Sequence, residues 1–177
     1  YYHPERKIIV SIHVDDPLVM TCSKEDEDWF HNKLSEFYDV KQVKRLTVGN
    51  PIDYLSVRIQ LHPDGSLTLD NKDKIDEFLT QHGMQNCNPV SRPLSKEDLM
   101  TMVNNASEVL PASGIKKYQG IMGDGNWLVQ TTHPTLAPAT SILAGFSKAP
   151  PDTSTPVTQH YLRFLQHAKH FALVKSP

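Results

Sequence analysis

Cysteine is nearly absent from this chain: Cys22 and Cys87 are the only thiols in 177 residues. Two such positions make neither a disulfide framework nor a zinc site, and a reducing intracellular compartment, cytoplasmic or nuclear, is the expectation. Long hydrophobic runs are also missing. None approaches the roughly 20 apolar residues that cross a bilayer, so no membrane partner is expected. No signal peptide is visible. The start, Tyr1-Tyr2-His3-Pro4-Glu5-Arg6-Lys7, has no initiator Met and leads straight into an apolar segment, which reads as a fragment or processed piece of a longer chain. A basic excess is lacking as well. Lys and Arg number 18 against 20 Asp and Glu, a net charge of −2 with histidines neutral. Autonomous nucleic-acid binding usually shows a clear positive balance. The local cluster Lys41, Lys44 and Arg45 reads as solvated surface.

Several catalytic signatures are missing too. No G-x-S-x-G elbow supports Ser-His-Asp chemistry, and Gly120, Gly123 and Gly125 follow no strand, so they form no phosphate loop. Among the 9 histidines, His160, His167 and His170 fall on one helical segment, and 167 and 170 share a face by spacing. No Asp, Glu or Cys beside them completes a metal-ligand set, so these histidines are expected to be ordinary surface or hydrogen-bonded residues. Neither an internal repeat nor a long low-complexity tract occurs.

What remains is a globular composition: 38 % hydrophobic and 21 % charged, enough in this length for one domain or two small ones with a real core. Ser23 is placed to cap a helix running to about Tyr38, with Asp26 three residues on in a weaker form of the capping box. Phe30, Leu34 and Phe37 follow at helical spacing and are expected to face a core, with Trp29 beside them. From Tyr54 the period changes to two. Leu55, Val57, Ile59 and Leu61 share one face; Pro63-Asp64-Gly65-Ser66 turns; Leu67 and Leu69 resume the alternation, a β-hairpin pattern. Residues 71–82 read as a helix with Ile75, Phe78 and Leu79 inward and Gly83 at the left-handed stop.

Pro89 and Pro93 interrupt regular structure. Residues 95–114 contain a helical stretch over 96–103 and then a linker, marked by Asn104-Asn105 and by Pro111 to Gly114. Further helices are expected around Tyr118, Ile121, Met122, Leu128 and Val129; from Pro134 through Leu136, Ile142, Leu143 and Phe146; and after Thr155 as cap with Pro156 first, carrying Val157, Tyr161, Phe164, Leu165 and Ala168. The glycines of the first of these lower helix propensity but permit close packing. Strands and a helix, then a hairpin, then helices alone point to an α+β architecture.

The densest chemistry lies at His13-Val14-Asp15-Asp16, between the apolar runs 8–12 and 18–20. Paired carboxylates at the tip of an apolar hairpin are costly to hold together, and a nearby cation relieves the cost. Phosphoryl-transfer sites hold divalent ions with such pairs. The ordinary alternative is a turn, since Asp-Asp-Pro is good turn chemistry. The runs 8–12 and 18–21 are expected to pair as an antiparallel hairpin with Asp15 and Asp16 at or near its tip.

Taken in order, these segments resemble the reverse transcriptase of copia-type LTR retrotransposons, from the second half of the palm onward. His13-Val14-Asp15-Asp16 resembles that family's Tyr-Val-Asp-Asp hairpin. Tyr54-Leu55-Ser56-Val57-Arg58-Ile59 resembles its Phe-Leu-Gly-Ile-Glu-Ile primer-grip segment. Gly83-Met84, Cys87, Pro89-Val90 and Pro93 are similar to its Phe-Gly-Met-x-x-Cys-Lys-Pro-Val-x-Thr-Pro. The stretch 118–128 resembles its Tyr-x-x-Leu-Val-Gly-Ser-Leu-Met-Tyr-Leu. Thr132-His133-Pro134-Thr135-Leu136 stands where the family has Thr-Arg-Pro-Asp-Ile, and Tyr161-Leu162-Arg163-Phe164-Leu165 is similar to its Ile-Leu-Arg-Tyr-Leu. The segments are collinear at fitting separations.

The resemblance implies a partial polymerase palm over residues 1–70, with the Asp-Asp hairpin and a primer-grip-like hairpin at Tyr54, Leu55 and Ser56. A helical thumb and connection region would follow over 71–177. It implies that Asp15 and Asp16 are two of the family's three catalytic carboxylates, Asp15 as metal ligand and Asp16 in support. The third carboxylate and the fingers would lie upstream, and an RNase H domain downstream, in the same polyprotein. Mg²⁺ or Mn²⁺ and an RNA/DNA template-primer belong to the complete enzyme. Tight metal binding and polymerase activity are not expected of this piece alone, whereas self-association or a protein partner is. Departures from the family pattern are His13, Pro17, Ser56, His133 and Thr135. Pro17 is expected to remove a donor from the returning strand, and His133 and Thr135 to lose an ion pair. Such changes fit a diverged copy, or a domesticated non-catalytic subunit of a larger assembly.

Overall fold

The computed structural model describes residues 1–40, 43–104 and 108–177, and its class is α+β. The apolar run after Lys7 forms β2 (Ile8–His13), flanked by β1 (Tyr2–His3) and β3 (Asp16–Met20) in an antiparallel sheet of order β1-β2-β3. Register runs from Ile9↔Met20 to His13↔Asp16, so the expected hairpin is present, closed by Val14 and Asp15. Ile8 and Val10 point to the buried side.

Helix α1 (Lys24–Ser35) starts at the expected cap. The Asp26 N–H donates to Ser23 Oγ at 3.1 Å, and the Ser23 hydroxyl donates back to the Asp26 carboxylate at 2.7 Å. That bond, with the Arg6 guanidinium 2.8 Å away, holds the Asp26 carboxyl below the usual carboxylate range. Arg6 also lies over the Trp29 ring at 4.6 Å, and His3 meets the same ring edge-on, so α1 is tied to the sheet by cation–π and ring contacts. The helix is shorter than the spacing predicts, and none of its residues is buried. Phe30 and Leu34 are half-buried and Phe37, past the helix end, is 77 % exposed. The apolar stripe is real but covered only in part, with Trp29, Phe30 and Leu34 half-buried.

The second sheet has order β4-β5-β6-β7, all antiparallel: β4 (Ile52–Tyr54), β5 (Val57–Leu61), β6 (Leu67–Asp70) and β7 (Leu173–Lys175). The alternation from Tyr54 does not make one strand. Leu55 and Ser56 take φ of 51° and 63° and form the tight turn between β4 and β5. Left-handed φ at both central positions is the type I′ pattern that suits a hairpin's twist. The following turn is as expected: Asp64 Oδ1 accepts from the Ser66 N–H at 2.9 Å and the Ser66 hydroxyl at 2.7 Å, and Gly65 has φ +84°.

Helix α2 (Lys72–Gln81) buries Ile75, Phe78 and Leu79, each contributing about 1.5–3 kcal/mol of burial. It ends in a Schellman pair: the Gly83 N–H reaches Thr80 O at 3.1 Å, the Met84 N–H reaches Leu79 O at 2.7 Å, and Gly83 has φ +68°. Helix α3 (Lys96–Asn104) follows; Asn105 of the expected linker lies outside the described residues. Pro111 to Gly114 is not linker. Pro111 caps α4 (Ala112–Thr131), and Ala112 to Gly114 form its first turn. The segment before it is pinned by bonds from the Leu110 N–H to Pro150 O and from the Asp152 N–H to Glu108 O, both 2.9 Å.

A short 3₁₀ turn (Pro134–Leu136) leads into α5 (Ala137–Ala144). Leu136 and Leu143 are buried, whereas Ile142 is exposed. Helix α6 (Ser154–Ala168) begins before Thr155, with Thr153 at the cap, and Pro156 is its third residue rather than its first. Its expected stripe, Val157, Tyr161, Phe164, Leu165 and Ala168, is buried throughout. One apolar core joins α2 to α6. Close packing relies on Gly125: the Tyr161 ring lies against α4 there, and its hydroxyl hydrogen-bonds with Thr140 Oγ1 at 2.8 Å. Gly120 and Gly123 face open space. Among the described residues no helix is long and apolar enough to cross a membrane.

Candidate functional site

The β2–β3 hairpin presents the acidic pair at its tip. Val14 takes φ 54°, a left-handed conformation that strains a β-branched residue, and its side chain is 86 % exposed. Asp15 completes the turn, and Asp16 opens β3 opposite His13. Both aspartates are exposed, and neither carboxylate has an ion pair or hydrogen bond among the described residues.

Pro17 takes a donor from the returning strand, as the sequence suggests, but not from the hairpin ladder. His13 and Asp16 flank a two-residue turn, so they form a hydrogen-bonded pair, and Ile12↔Pro17 is the next, non-bonded pair. The alternation is confirmed on the far side of β2, where the Val10 N–H donates outward to Tyr1 O at 2.9 Å. The nitrogen of Pro17 therefore points away from β2, and the ladder loses no bond. What Pro17 removes is a donor on the open edge of β3.

The structure brings the two segments singled out in sequence together. The Tyr54 hydroxyl donates to the Asp16 carbonyl at 3.2 Å, so the last residue of β4 touches the first residue of β3. Leu55 and Ser56 form the turn immediately beyond. Behind that turn lies a buried polar chain. Asn71 Nδ2 donates to Ser56 O at 2.6 Å, while Asn71 Oδ1 accepts from the Thr131 hydroxyl at 3.1 Å and also contacts the Thr132 hydroxyl. Thr132 Oγ1 lies 2.7 Å from His133 Nδ1, and His133 Nε2 lies 3.0 Å from Ala168 O. Facing a carbonyl, Nε2 carries the proton, so Nδ1 is an acceptor for the Thr132 hydroxyl, which stands between it and Asn71 Oδ1, while the Thr131 hydroxyl is shared between Asn71 and the Trp127 carbonyl at 3.0 Å. His133 is 2 % exposed, and burial pushes its pKa down, so it is neutral. The chain runs from the β4–β5 turn, through the N-terminus of α2 and the end of α4, to the last turn of α6. Where the sequence suggested a lost ion pair at His133, the side chain satisfies a carbonyl and a hydroxyl instead.

Sequence reasoning missed Asn71 as the hub. The spacing places it inside a helix over 71–82, yet it stands just before α2, makes no cap bond, and its side chain spans between elements. Of the three histidines singled out near the end of the sequence, two have local roles and His170 is exposed. His160 lies between Asp98, at 3.2 Å, and the Arg92 carbonyl, at 2.9 Å; His167 packs against Phe164 and Phe171. No group of three or more His, Cys, Asp or Glu able to hold a metal occurs among the described residues. In the basic cluster, Lys41 lies outside the described residues, Arg45 pairs with Glu27, and Lys44 is exposed.

Compared with known proteins, the chain matches no family model, no curated protein and no solved structure.

Proposed function

We propose that this chain is a piece of an RNA-directed DNA polymerase, the reverse transcriptase of a copia-type retrotransposon polyprotein, comprising the second half of the palm and the thumb and connection region. The observation that supports this most is the contact of Tyr54 with Asp16. A polymerase needs its carboxylate tip beside the segment that holds the primer end, and the two motifs that the resemblance singles out meet here. The left-handed φ at Ser56 also suits the resemblance, which has a Gly there. In the whole nucleotidyltransferase, Asp15 would ligate Mg²⁺ or Mn²⁺ with Asp16 in support, and the template-primer would lie across the Tyr54–Ser56 turn.

The donor set is of the right kind but incomplete. Hard divalent ions take carboxylate oxygens, and Mg²⁺ demands near-octahedral coordination. Two exposed aspartates supply too few ligands, and two-metal catalysis needs ligands around both ions. No catalytic step follows from these residues alone. The expected result of a primer-extension assay with Mg²⁺ or Mn²⁺ is no incorporation by the 177-residue chain, and incorporation once the upstream palm and fingers are joined to it. Robust activity of the chain alone, abolished by Asp15→Asn, would show that the reading of its role is wrong.

A second reading is favoured by the net charge of −2: a reverse-transcriptase-derived, non-catalytic subunit that binds protein rather than nucleic acid. Its contact surface would be the first sheet and the turn beside it, where Ile9, Ile12 and Met20 are exposed. Nucleic-acid affinity that is micromolar or weaker and collapses with salt would suit this reading. Tight duplex binding at raised salt would favour the first.

A further inference from the structure

The two sheets end in four strand edges, at β1, β3, β4 and β7. An open edge recruits other strands unless a proline, a charge or shortness blunts it. The register decides which backbone groups each edge offers. Tyr54 and Val57 flank a two-residue turn, so they form a hydrogen-bonded pair, as do Ile52 and Ile59. Asp53 between them turns its N–H and C=O away from β5. On the other side of β5 the His62 N–H donates to Ser66 O at 2.9 Å, which makes Gln60↔Thr68 and Arg58↔Asp70 the bonded pairs. The backbone groups of Leu67 and Leu69 are therefore left for β7, where they meet Lys175 and Leu173. Val174 points its N–H and C=O outward, and neither group is hydrogen-bonded among the described residues.

Three of these edges are guarded. Strand β1 is only two residues long and runs into Pro4. Pro17 takes an outward donor from β3. On β4 the outward positions are Asp53 and, just before the strand, Pro51. A second copy pairing there about a two-fold axis would set Asp53 against its own counterpart, a like-charge clash. Strand β7 has no such guard. Its outward positions are Val174 and, flanking the strand, Ala172 and Ser176; each has an N–H and none is charged. Val174 is 67 % exposed. Pairing about a two-fold axis through Val174 is self-complementary. Each Val174 exchanges both backbone bonds with the other, and each Leu173 stands opposite the second copy's Lys175, so no like charges meet and the lysine stem lies along the leucine.

We propose that β7 is a dimerisation edge, taken by β7 of a second copy in antiparallel register about Val174. The two four-stranded sheets then join into one. The pairing uses up both edges, so it closes at two chains. It depends on neither the polymerase reading nor the first sheet.

The test is analytical ultracentrifugation of the full chain over a concentration series. The wild-type mass should rise from one chain to two. Val174→Pro removes only an outward donor, so the melting temperature should hold while dimer affinity falls by about tenfold or more, the worth of the exchanged backbone bonds. Val174→Asp and Val174→Lys keep the N–H but set like charges across the axis. Each alone should stay monomeric where the wild type is dimeric, and an equal mixture of the two should dimerise. Ile9→Lys, on the first sheet, should keep the dimer. A wild-type chain that stays monomeric overturns the proposal, as does a mixture of the two charged variants that fails to pair. Dimerisation kept in Val174→Pro but lost in Ile9→Lys would place the contact on the first sheet and also overturns it.

Discussion

Gly125 is the glycine of α4 whose missing side chain matters. A Cβ built there would run into the Tyr161 hydroxyl and sit 3.1 Å from its ring carbon Cζ. Tyr161 is fully buried and its hydroxyl is committed to Thr140, so it has nowhere to retreat. Gly125→Ala is therefore expected to cost about 1–3 kcal/mol of overpacking, outweighing the roughly 1 kcal/mol of helix propensity it regains. Gly120→Ala and Gly123→Ala meet nothing and should gain up to about 1 kcal/mol each. Chemical denaturation of the single variants checks the opposite signs. Composition and spacing told of close packing somewhere along α4; which glycine carries it depends on where Tyr161 arrives from α6, a long-range fact absent from local pattern.

Among the elements, those set by local chemistry were legible in sequence. The Ser23 cap, the Pro63–Ser66 turn, the buried face of α2 with Gly83 behind it, and the β2–β3 hairpin all follow from side chains within a few residues. Elements set by distant partners were not. Strand β7 is exposed and too short to show a period; it exists because β6 has an open side. The Leu55–Ser56 turn breaks an alternation that reads as continuous, because neither residue is one that left-handed geometry prefers. Helix α1 shows the reverse error, an apolar stripe that ends half-buried, with Phe37 exposed beyond the helix. For the candidate site, the two motifs were legible but their contact through Tyr54 was not, nor was the polar chain behind them.

That polar chain has a pH signature. The pKa of His133 is depressed from its ordinary 6.5 by burial, so the unfolded state takes up a proton more readily than the folded one. Its contribution to stability is present above about pH 6.5 and is lost as pH falls through that value toward the folded pKa. His82, also depressed by burial, acts in the same direction, whereas Asp124, raised by burial, opposes it at lower pH. The melting temperature should fall between about pH 7.5 and 5.5, and the fall should be shallower in His133→Gln. An equal slope in both proteins would remove His133 from the account.

At the scale of the whole molecule, a helical core from α2 to α6 carries a sheet that its own C-terminal strand completes, and the Asp hairpin stands beyond that core. The exposed apolar residues of the first sheet, with Phe37 and Tyr38 beyond α1, form the surface on which self-association is expected. Size-exclusion chromatography with light scattering checks this: a rise in mass with concentration is the expected outcome, and a monomer at high concentration removes the proposal of a protein-binding face.

Pro17 determines what kind of assembly that association can become. Strand-to-strand growth propagates without end, because each added strand offers the next a fresh template. Of the two outward-facing positions of β3, Pro17 has no N–H and only Val19 can donate, so such templating is weakened at its first step. Contacts between copies through this sheet then fall on side-chain faces, which can close on themselves into finite particles. Pro17→Thr restores the outward donor without disturbing the hairpin ladder. It should turn a clear, slowly associating solution into one that nucleates thioflavin-positive fibres after a lag, while the wild-type chain stays fibre-free over the same days.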